Sequence, residues 1–424
     1  MIVLMLSVFT VSMGYGIILP LLPYLIERLL GATVGAAQVS SATGLLTGLY
    51  TLSLFLFAAV WGHLSDRFGR RVILLIGLIG FSATTLTFAF VENLSGLYAE
   101  RFLSGMFAAA VTPVALATIG DLAATEAIRA RRLTFVSLAG ISGFLLGPML
   151  GVFLTRGTAN WIAAASATGS PAIPFAATAT LSLLVALGVF FTVTGAQPVD
   201  AARKHRQAIS KPSTWLVPKL LAISFIVSTG IGVFEVGLAL RGKQELGLTQ
   251  YQIASMFMLC SAVMFIVQAI VFSPWTKPET TRWFIAPALA VMAVGLFLVP
   301  RASNFTLMLF VIGTVAASAG ILSPIITYWI SSKAAKAQGA ELGKQTAAAS
   351  LGTAIGSAAG GLLFSVAWLP SASFLLVTAL TALGMLLSLS LPKILVTQKL
   401  GASSDKVAPA ALTPSSIPTH ETTI

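Results

Sequence analysis

Charged residues are scarce in this chain, at 9% of its 424 residues, against roughly a quarter in an ordinary soluble domain. Its 25 basic and 13 acidic side chains cannot cover the surface of a soluble protein of 44.1 kDa, and 57% of the residues are hydrophobic. A mean hydropathy of +0.94 requires long apolar runs, which are typical of chains that cross a lipid bilayer. The composition therefore excludes a water-soluble protein and predicts an integral membrane protein that is surrounded by lipid.

Cysteine and histidine are also rare. The single cysteine, Cys260, lies in an apolar run, so the chain has neither a disulfide framework nor a thiolate metal cluster. The sequence contains no phosphate-binding loop, metal-ligand cluster or nucleophile constellation, and we therefore expect no cofactor, no metal and no enzymatic activity. A pI near 10.1 would fit a nucleic-acid binder, but the basic residues form only short runs, and we expect no nucleic-acid partner.

Twelve apolar runs, nearly free of charge, are separated by polar or Gly- and Pro-rich breaks. They cover residues 2–25, 44–61, 72–91, 97–118, 133–155, 173–195, 216–240, 251–273, 283–300, 305–330, 346–367 and 372–391. None alternates polar and apolar residues as a barrel strand does, so we interpret them all as membrane-spanning helices. The first run lacks the basic start and the small-residue cleavage site of a signal peptide and is predicted to be a span.

The basic residues are distributed unevenly between the two sides of these spans, with about eighteen of the 25 on one side. Because basic loops stay in the cytoplasm, both termini are predicted to be cytoplasmic. The longest loop on that side, 196–215, divides the chain into two six-helix bundles, 1–195 and 216–392. The polar tail 393–424 is predicted to be disordered.

The two halves also resemble each other. Three small residues of the fifth span recur 213 residues later in the eleventh: Ser137, Gly143 and Gly147 correspond to Ser350, Gly356 and Gly360. Such a repeat indicates a duplicated unit, as in many transporters.

The segment between the second and third spans reads Gly-His-Leu-Ser-Asp-Arg-Phe-Gly-Arg-Arg from position 62. Its two glycines permit a tight reversal, and its carboxylate can pair locally or face a helix N-terminus. A charged turn that only fixes orientation would explain the arginines, but not the acid or the glycines. Here the sequence resembles the major facilitator superfamily, whose signature is G-x-L-x-D-R-x-G-R followed by Lys or Arg. All specified positions are filled, by Gly62, Leu64, Asp66, Arg67, Gly69, Arg70 and Arg71.

This resemblance implies twelve helices in two pseudo-symmetric bundles around a central cavity that opens alternately to either side. It also implies that Asp66 acts as a gate on the cytoplasmic side, together with Arg70 and with Asp121 at the end of the fourth span.

Arg101 and Gly105 of the fourth span match the R-x-x-x-G element of the same superfamily. They are four residues apart and share one helix face. An arginine in mid-membrane costs about 2.5 to 3.5 kcal/mol, so we expect Arg101 and Gly105 to face the substrate cavity, with snorkelling of Arg101 to the outer edge as the alternative.

In the fifth span, Gly143, Gly147, Pro148 and Gly151 form a stripe of small residues at helical spacing. On physical grounds alone this is a helix-packing face. The pattern G-x-x-x-G-P-x-x-G also resembles the element of the superfamily's antiporter branches.

The first span contains the pattern G-x-G-x-x-x-P-x-x-P from Gly14 to Pro23, similar to that of the tetracycline exporters. Several of those exporters carry an aspartate nine residues before the first proline, where this chain has Val11. The proton carrier must therefore be another residue.

No histidine lies in a predicted span, so the candidates for proton coupling are two acids, Glu235 and Glu100. An acid in a span is costly unless it is paired, solvated or protonated, although each acid could instead lie at the interface. Glu100 precedes Arg101 by one position, about 100° around the helix, so we expect the two side chains to point in different directions. Among the aromatic residues, Tyr15 and Phe234 are candidates to line the cavity.

The resemblance implies a secondary active transporter, a monomer in the bacterial inner membrane that exports a small amphipathic, drug-like substrate in exchange for protons. The alternatives are an uptake symporter or facilitator of the same fold and, more remotely, a membrane sensor or scaffold that does not transport.

Overall fold

The computed structural model describes residues 1–31, 34–88, 90–122, 126–162, 172–193, 216–271, 278–333, 338–366 and 371–391. Within these residues the chain forms twelve α-helices and no β-strand. They are α1 (Ile2–Leu30), α2 (Ala36–Phe68), α3 (Arg70–Phe88), α4 (Leu94–Leu122), α5 (Glu126–Ile162), α6 (Ala172–Thr192), α7 (Leu216–Leu240), α8 (Gln250–Val271), α9 (Ile285–Leu298), α10 (Phe305–Lys333), α11 (Gln338–Leu362) and α12 (Ala372–Ser388). A π-helical turn, Arg241–Glu245, continues α7, and 3-10 turns at Pro278–Phe284 and Val299–Arg301 flank α9.

Each helix falls on one of the twelve predicted spans, which confirms the all-helical fold. Among the described residues, α1 to α10 are long and apolar enough to cross a membrane, α9 together with its flanking 3-10 turns as Thr280–Arg301. Helix α12 has the same apolar character over only 17 residues, and α11 begins with a polar turn that contains Glu341 and Lys344. The predicted loop 196–215 and tail 393–424 lie outside the described residues.

Helices α1–α6 form one bundle, the N-bundle, and α7–α12 form the other, the C-bundle. In the N-bundle α1 packs on α5, and in the C-bundle α7 packs on α11 in the equivalent way. The bundles meet where α2 crosses α11 and where α5 crosses α8. These two crossings are equivalent when the halves of the chain are exchanged, as a duplicated unit requires.

Glycine stripes explain the closest helix pairs. A methyl group at Gly143 of α5 would overlap the carbonyl oxygen of Phe9 on α1, and one at Gly356 of α11 would overlap the carbonyl oxygen of Thr229 on α7. The repeated small residues therefore have the same use in both halves, because only they allow the backbones to approach so closely.

We call the end of the molecule where α2 turns into α3 the basic end, and the end where α1 turns into α2 the far end. Gly69 makes the turn at the basic end with a φ of +93°, a conformation that favours glycine. Gly62 lies inside α2, with open space around it. The prediction that both glycines form the reversal was therefore wrong: helical hydrogen bonding continues through Gly62, and Gly69 alone reverses the chain.

Candidate functional site

A cavity of about 220 Å³ lies between the two bundles. Side chains of α1, α5, α7, α8 and α10 line it, including the two predicted aromatic residues Tyr15 and Phe234. Most of its wall is apolar, and Glu235 is the acidic residue among its lining side chains in the described part of the chain. The other lining residues are Gly140, Ile141, Phe144, Ile231, Phe257, Cys260, Ser261, Met264, Val315, Ala316 and Ala319.

Glu235 is held by a hydrogen bond that crosses between the bundles. The hydroxyl group of Tyr15 on α1 donates to the Oε2 atom of Glu235 on α7 at 2.8 Å, and both side chains are partly buried at the cavity wall. Gly232 and Gly237 bring α7 close to α11 and α12, which fixes its rotation and leaves the carboxylate at the cavity. A carboxylate in this position can exchange a proton with the cavity and can attract a cationic group.

The ring of Tyr15 stacks on two other aromatic rings. Tyr50 of α2 lies with its ring centroid 5.1 Å away and nearly parallel, and Phe144 of α5 lies 5.9 Å away. Phe144 in turn meets the edge of Phe257 of α8 across the cavity at 6.4 Å. Aromatic side chains from four helices therefore form a connected cluster with Tyr15, which contacts the acidic group.

Arg101 and Glu100 form a buried ion pair with each other. The Nε and Nη2 atoms of Arg101 donate to the two carboxylate oxygens of Glu100 at 2.6 and 2.8 Å, and the two residues are only 2% and 4% exposed. The prediction that adjacent side chains point apart was wrong, because their long chains converge although their Cβ atoms do not. Their burial also contradicts the interfacial alternative for Glu100 and the snorkelling alternative for Arg101.

The surroundings of this pair are aromatic. The guanidinium of Arg101 lies over the rings of Tyr50, at 5.5 Å, and Phe88, at 4.7 Å, and neither Arg101 nor Glu100 belongs to the cavity lining described above. Gly105 is also outside that lining: it packs against the backbone of Tyr50, where any side chain would overlap. A direct role of Arg101 and Gly105 at the substrate stays a prediction.

The predicted gate residues come together at the basic end. Arg70 of α3 pairs with Asp66 of α2 at 2.5 Å and, through its Nε atom, with Asp121 of α4 at 3.1 Å. The flanking Arg67 and Arg71 each lie over a phenylalanine ring. The two ion pairs of Arg70 join α2, α3 and α4 of one bundle, and the gate role of Asp66 stays a prediction.

The remaining residues of the predicted antiporter element all lie against α1. Gly147, Pro148 and Gly151 contact it within residues 13–17, so this face packs helices as the spacing indicates. Val11, which replaces the acid of the tetracycline exporters, is buried at 6% exposure.

A second set of contacts between the bundles lies at the far end, and we call its residues Pro23, Tyr24, Glu27, Lys243 and Leu248 the far-end latch. The Nζ atom of Lys243 pairs with Glu27, donates to the carbonyl oxygen of Pro23 at 3.0 Å and lies 4.5 Å from the ring centroid of Tyr24. The hydroxyl group of Tyr24 donates to the carbonyl oxygen of Leu248 at 2.5 Å. The latch therefore closes the far end of α1 onto the π-helical turn that follows α7.

Helix α2 adds to this closure. The Ser40 hydroxyl donates to the side-chain oxygen of Gln244 at 3.2 Å, and Gln244 donates to the carbonyl oxygen of Ala36 at the same distance. A methyl group at Gly44 would come within 2.6 Å of the Cα atom of Gly361 on α11. The two bundles are thus tightly joined at the far end.

The sequence model of the Major Facilitator Superfamily matches residues 4–340. The chain belongs to this superfamily, and it is a multi-pass membrane transporter. It is similar to multidrug resistance protein 2 of Bacillus subtilis, with 25% identity over 377 residues that cover 86% of this chain and 88% of that protein. It is also similar to the quinolone resistance protein NorA of Staphylococcus aureus, with 26% identity over 372 residues that cover 86% and 89% of the two chains.

Solved structures of the superfamily share the fold. The human organic anion transporter MFSD10 aligns with a TM-score of 0.70 and 19% identity over 91% of this chain and 98% of its own. A D-xylose-proton symporter aligns with the same TM-score and 16% identity, over 91% and 96% of the two chains.

Two features of this superfamily member were not found by sequence reasoning. The cavity residues Phe144, Phe257 and Cys260 lie in helices that are apolar on every side, so no periodicity marks their inward face. The pairing of Lys243 with Glu27 was also not predicted, because nothing in the local sequence links residues that are more than 200 positions apart.

Proposed function

We propose that this protein exports amphipathic, drug-like compounds in exchange for protons, and that Glu235 carries the exchanged proton. The observation that carries the proposal is the carboxylate of Glu235 at the wall of an otherwise apolar, aromatic cavity between the bundles. The relatives support drug-like compounds as the class of substrate, because multidrug resistance protein 2 and the quinolone resistance protein NorA are both named for drug resistance.

The coupling follows from the position of the acid. A drug-like substrate that enters the cavity meets aromatic faces and one carboxylate, so binding of the substrate and protonation of Glu235 compete. Exchange requires this competition together with two conformations that differ in their contacts. The far-end latch supports the idea that the described conformation is the one closed at the far end. The proton gradient drives export, since one charge crossing 100 mV yields about 2.3 kcal/mol.

We further propose that the protein works as a monomer in the bacterial inner membrane, with the basic end and both termini in the cytoplasm. The excess of Lys and Arg on that side supports this orientation. Drug leaves the cell at the far end in the conformation in which the latch is open, and Asp66 then closes the basic end.

The test uses the full-length protein in proteoliposomes with an imposed pH gradient and two probes, ethidium and a quinolone. We expect the wild-type protein to accumulate a probe against its gradient and to move protons when the probe is added, and we expect Glu235→Gln to do neither. Glu341→Gln is the matched control, because Glu341 pairs with Lys344 on α11 and is not among the residues that line the cavity. Probe-driven proton movement by Glu235→Gln at the wild-type rate would remove Glu235 from coupling.

Everted vesicles test the direction of transport. If the vesicle interior is acidified, an exporter accumulates the probe inside, whereas an uptake symporter loses it. The second outcome would overturn export and favour the symporter alternative.

A further inference from the structure

Tyr50 is a buried aromatic residue between the acid at the cavity and the ion pair in α4. Its side chain is on α2, 2% exposed, with the ring stacked nearly parallel on Tyr15 at 5.1 Å. The guanidinium of Arg101 lies 5.5 Å from the same ring. Tyr15, in turn, donates its hydroxyl hydrogen bond to Glu235. A continuous chain of contacts therefore runs from α4 of the N-bundle to α7 of the C-bundle.

The R-x-x-x-G element of α4 holds Tyr50 from two sides. Gly105 lets α4 approach so closely that a side chain at this position would overlap the carbonyl oxygen of Tyr50. One turn earlier on the same helix face, Arg101 is fixed by both oxygens of Glu100 and lies over the ring of Tyr50. The backbone and the ring of Tyr50 are thus both positioned by α4.

Of the two rings that stack on Tyr15, Tyr50 is the nearer and the more nearly parallel. The other, Phe144, lies farther away at 5.9 Å and is inclined by 29°, against 17° for Tyr50. Because a tyrosine ring that shifts sideways carries its hydroxyl with it, a loss of the Tyr50 ring displaces the donor from Glu235.

We propose that Tyr50 is a positioning residue, which holds Tyr15 where its hydroxyl donates to Glu235 and is itself held by Arg101 and Gly105. The inference rests on the proposed proton-binding role of Glu235 and identifies the residues that position the hydrogen-bond donor to its carboxylate. The charged and titratable groups around this contact, on the helices that pack there, are Tyr15 on α1, Tyr50 on α2, Glu100 and Arg101 on α4 and Cys260 on α8.

The experiment reads the protonation of Glu235 directly and needs no substrate. The full-length protein is reconstituted in lipid, and the carbonyl stretching band of protonated Glu235 is followed by infrared spectroscopy as the pH is varied. The band is assigned by its absence from Glu235→Gln. A hydrogen bond to a carboxylate is worth enough to move such a midpoint by about 1 to 2 pH units, so we expect Tyr15→Phe to displace it by that amount.

If Tyr50 acts through Tyr15, Tyr50→Met displaces the midpoint in the same direction as Tyr15→Phe, by at least about 0.5 pH unit. When Tyr50→Met is combined with Tyr15→Phe, we expect no further displacement of the midpoint. Tyr50→Phe keeps the ring and is expected to titrate like the wild type. Phe88→Leu is the matched control. Phe88 is also buried against Arg101, at 4.7 Å, but its ring contacts Phe175 at a tilt of 49°, so we expect the midpoint to stay unchanged.

Two results would overturn the proposal. One is a folded Tyr50→Met protein with the wild-type infrared midpoint. The other is a Tyr50→Met substitution that displaces this midpoint equally in the wild-type and in the Tyr15→Phe background. Tyr50→Leu replaces Tyr50→Met if the latter is not monodisperse on gel filtration. Transport by Glu235→Gln at the wild-type rate would overturn the proposed function but would leave the infrared midpoints as they are, so the two failures are distinguishable.

Discussion

The far-end latch predicts that one lysine, Lys243, controls from which side of the membrane the cavity is accessible. Lys243 is 11% exposed and its partner Glu27 is 51% exposed, so their ion pair is worth at most about 1 kcal/mol. The hydrogen bond from the Lys243 ammonium to the Pro23 carbonyl adds about 1.5 kcal/mol, and the contact with the Tyr24 ring adds about 0.5 kcal/mol. All three contacts join the two bundles and are lost when the far end opens.

Lys243→Met keeps most of the side-chain volume and removes these three contacts. A loss of about 2 to 3 kcal/mol from the closed conformation raises the ratio of far-end-open to far-end-closed molecules by about 30- to 150-fold. The substitution acts on the population of conformers and leaves the cavity wall itself intact.

Cys260 makes this measurement possible without an engineered cysteine, because it lines the cavity and is the single cysteine of the chain. A membrane-impermeant methanethiosulfonate is applied to intact cells or to everted vesicles, and the remaining thiol is then counted with a fluorescent maleimide. We expect the wild-type Cys260 to be modified from one side, and Lys243→Met to be modified much faster from the other side.

Lys219→Met is the matched control. Lys219 lies near the opposite end of α7 and donates to Ser390 of the same bundle at 3.0 Å, so its loss removes a positive charge but no contact in the latch. The reasoning is refuted if Lys243→Met leaves the labelling rate from the second side unchanged, or if Lys219→Met raises it equally.

Two further predictions concern helix packing and the gate. Gly356→Leu forces a side chain against the carbonyl oxygen of Thr229. Since overpacking costs about 1 to 3 kcal/mol, we expect this variant to have a lower melting temperature in detergent. Gly343 lies on the same helix with open space around it, so the control Gly343→Leu is expected to melt like the wild type. Asp66→Asn removes a half-exposed ion pair with Arg70, so we expect a nearly unchanged melting temperature. We also expect slower proton-driven ethidium transport, and a variant with the wild-type transport rate would contradict the gate role.

The helices could be predicted from the sequence, because lipid requires long apolar runs and each run must form its own hydrogen bonds. Helix α7 has the predicted bounds, residues 216–240. Helix α2 was predicted at 44–61 but extends over Ala36–Phe68. Hydropathy marks only the part of a helix that lies in lipid, whereas helical hydrogen bonding continues into its polar ends.

The site was predictable only in part. Glu235 could be selected because an acid in a membrane span is costly, whereas Tyr15 and Phe234 were candidates only as aromatic residues of the spans. All three border the cavity. The pairing of Glu100 with Arg101 was missed because an argument from Cβ directions ignores the length of the side chains. The contact between Tyr15 and Tyr50 depends on how α1 and α2 are rotated, and apolar helices give no periodic signal that would fix rotation.

The position of the acid has a consequence for coupling. An acid in place of Val11 would be on α1, in the same helix as Tyr15, whereas Glu235 is on α7 and receives its hydrogen bond from α1 across the gap between the bundles. A bond within one bundle exists in both conformations and cannot bias the equilibrium between them, but a bond between bundles is lost when the helices separate. A protonated carboxyl group accepts this hydrogen bond less strongly than a carboxylate does. If Glu235 carries the proton as proposed, its protonation therefore weakens a contact between the two moving bundles. The chain can therefore couple protons to movement without an acid in its first span, provided that Tyr15 remains in place on the other side of the gap.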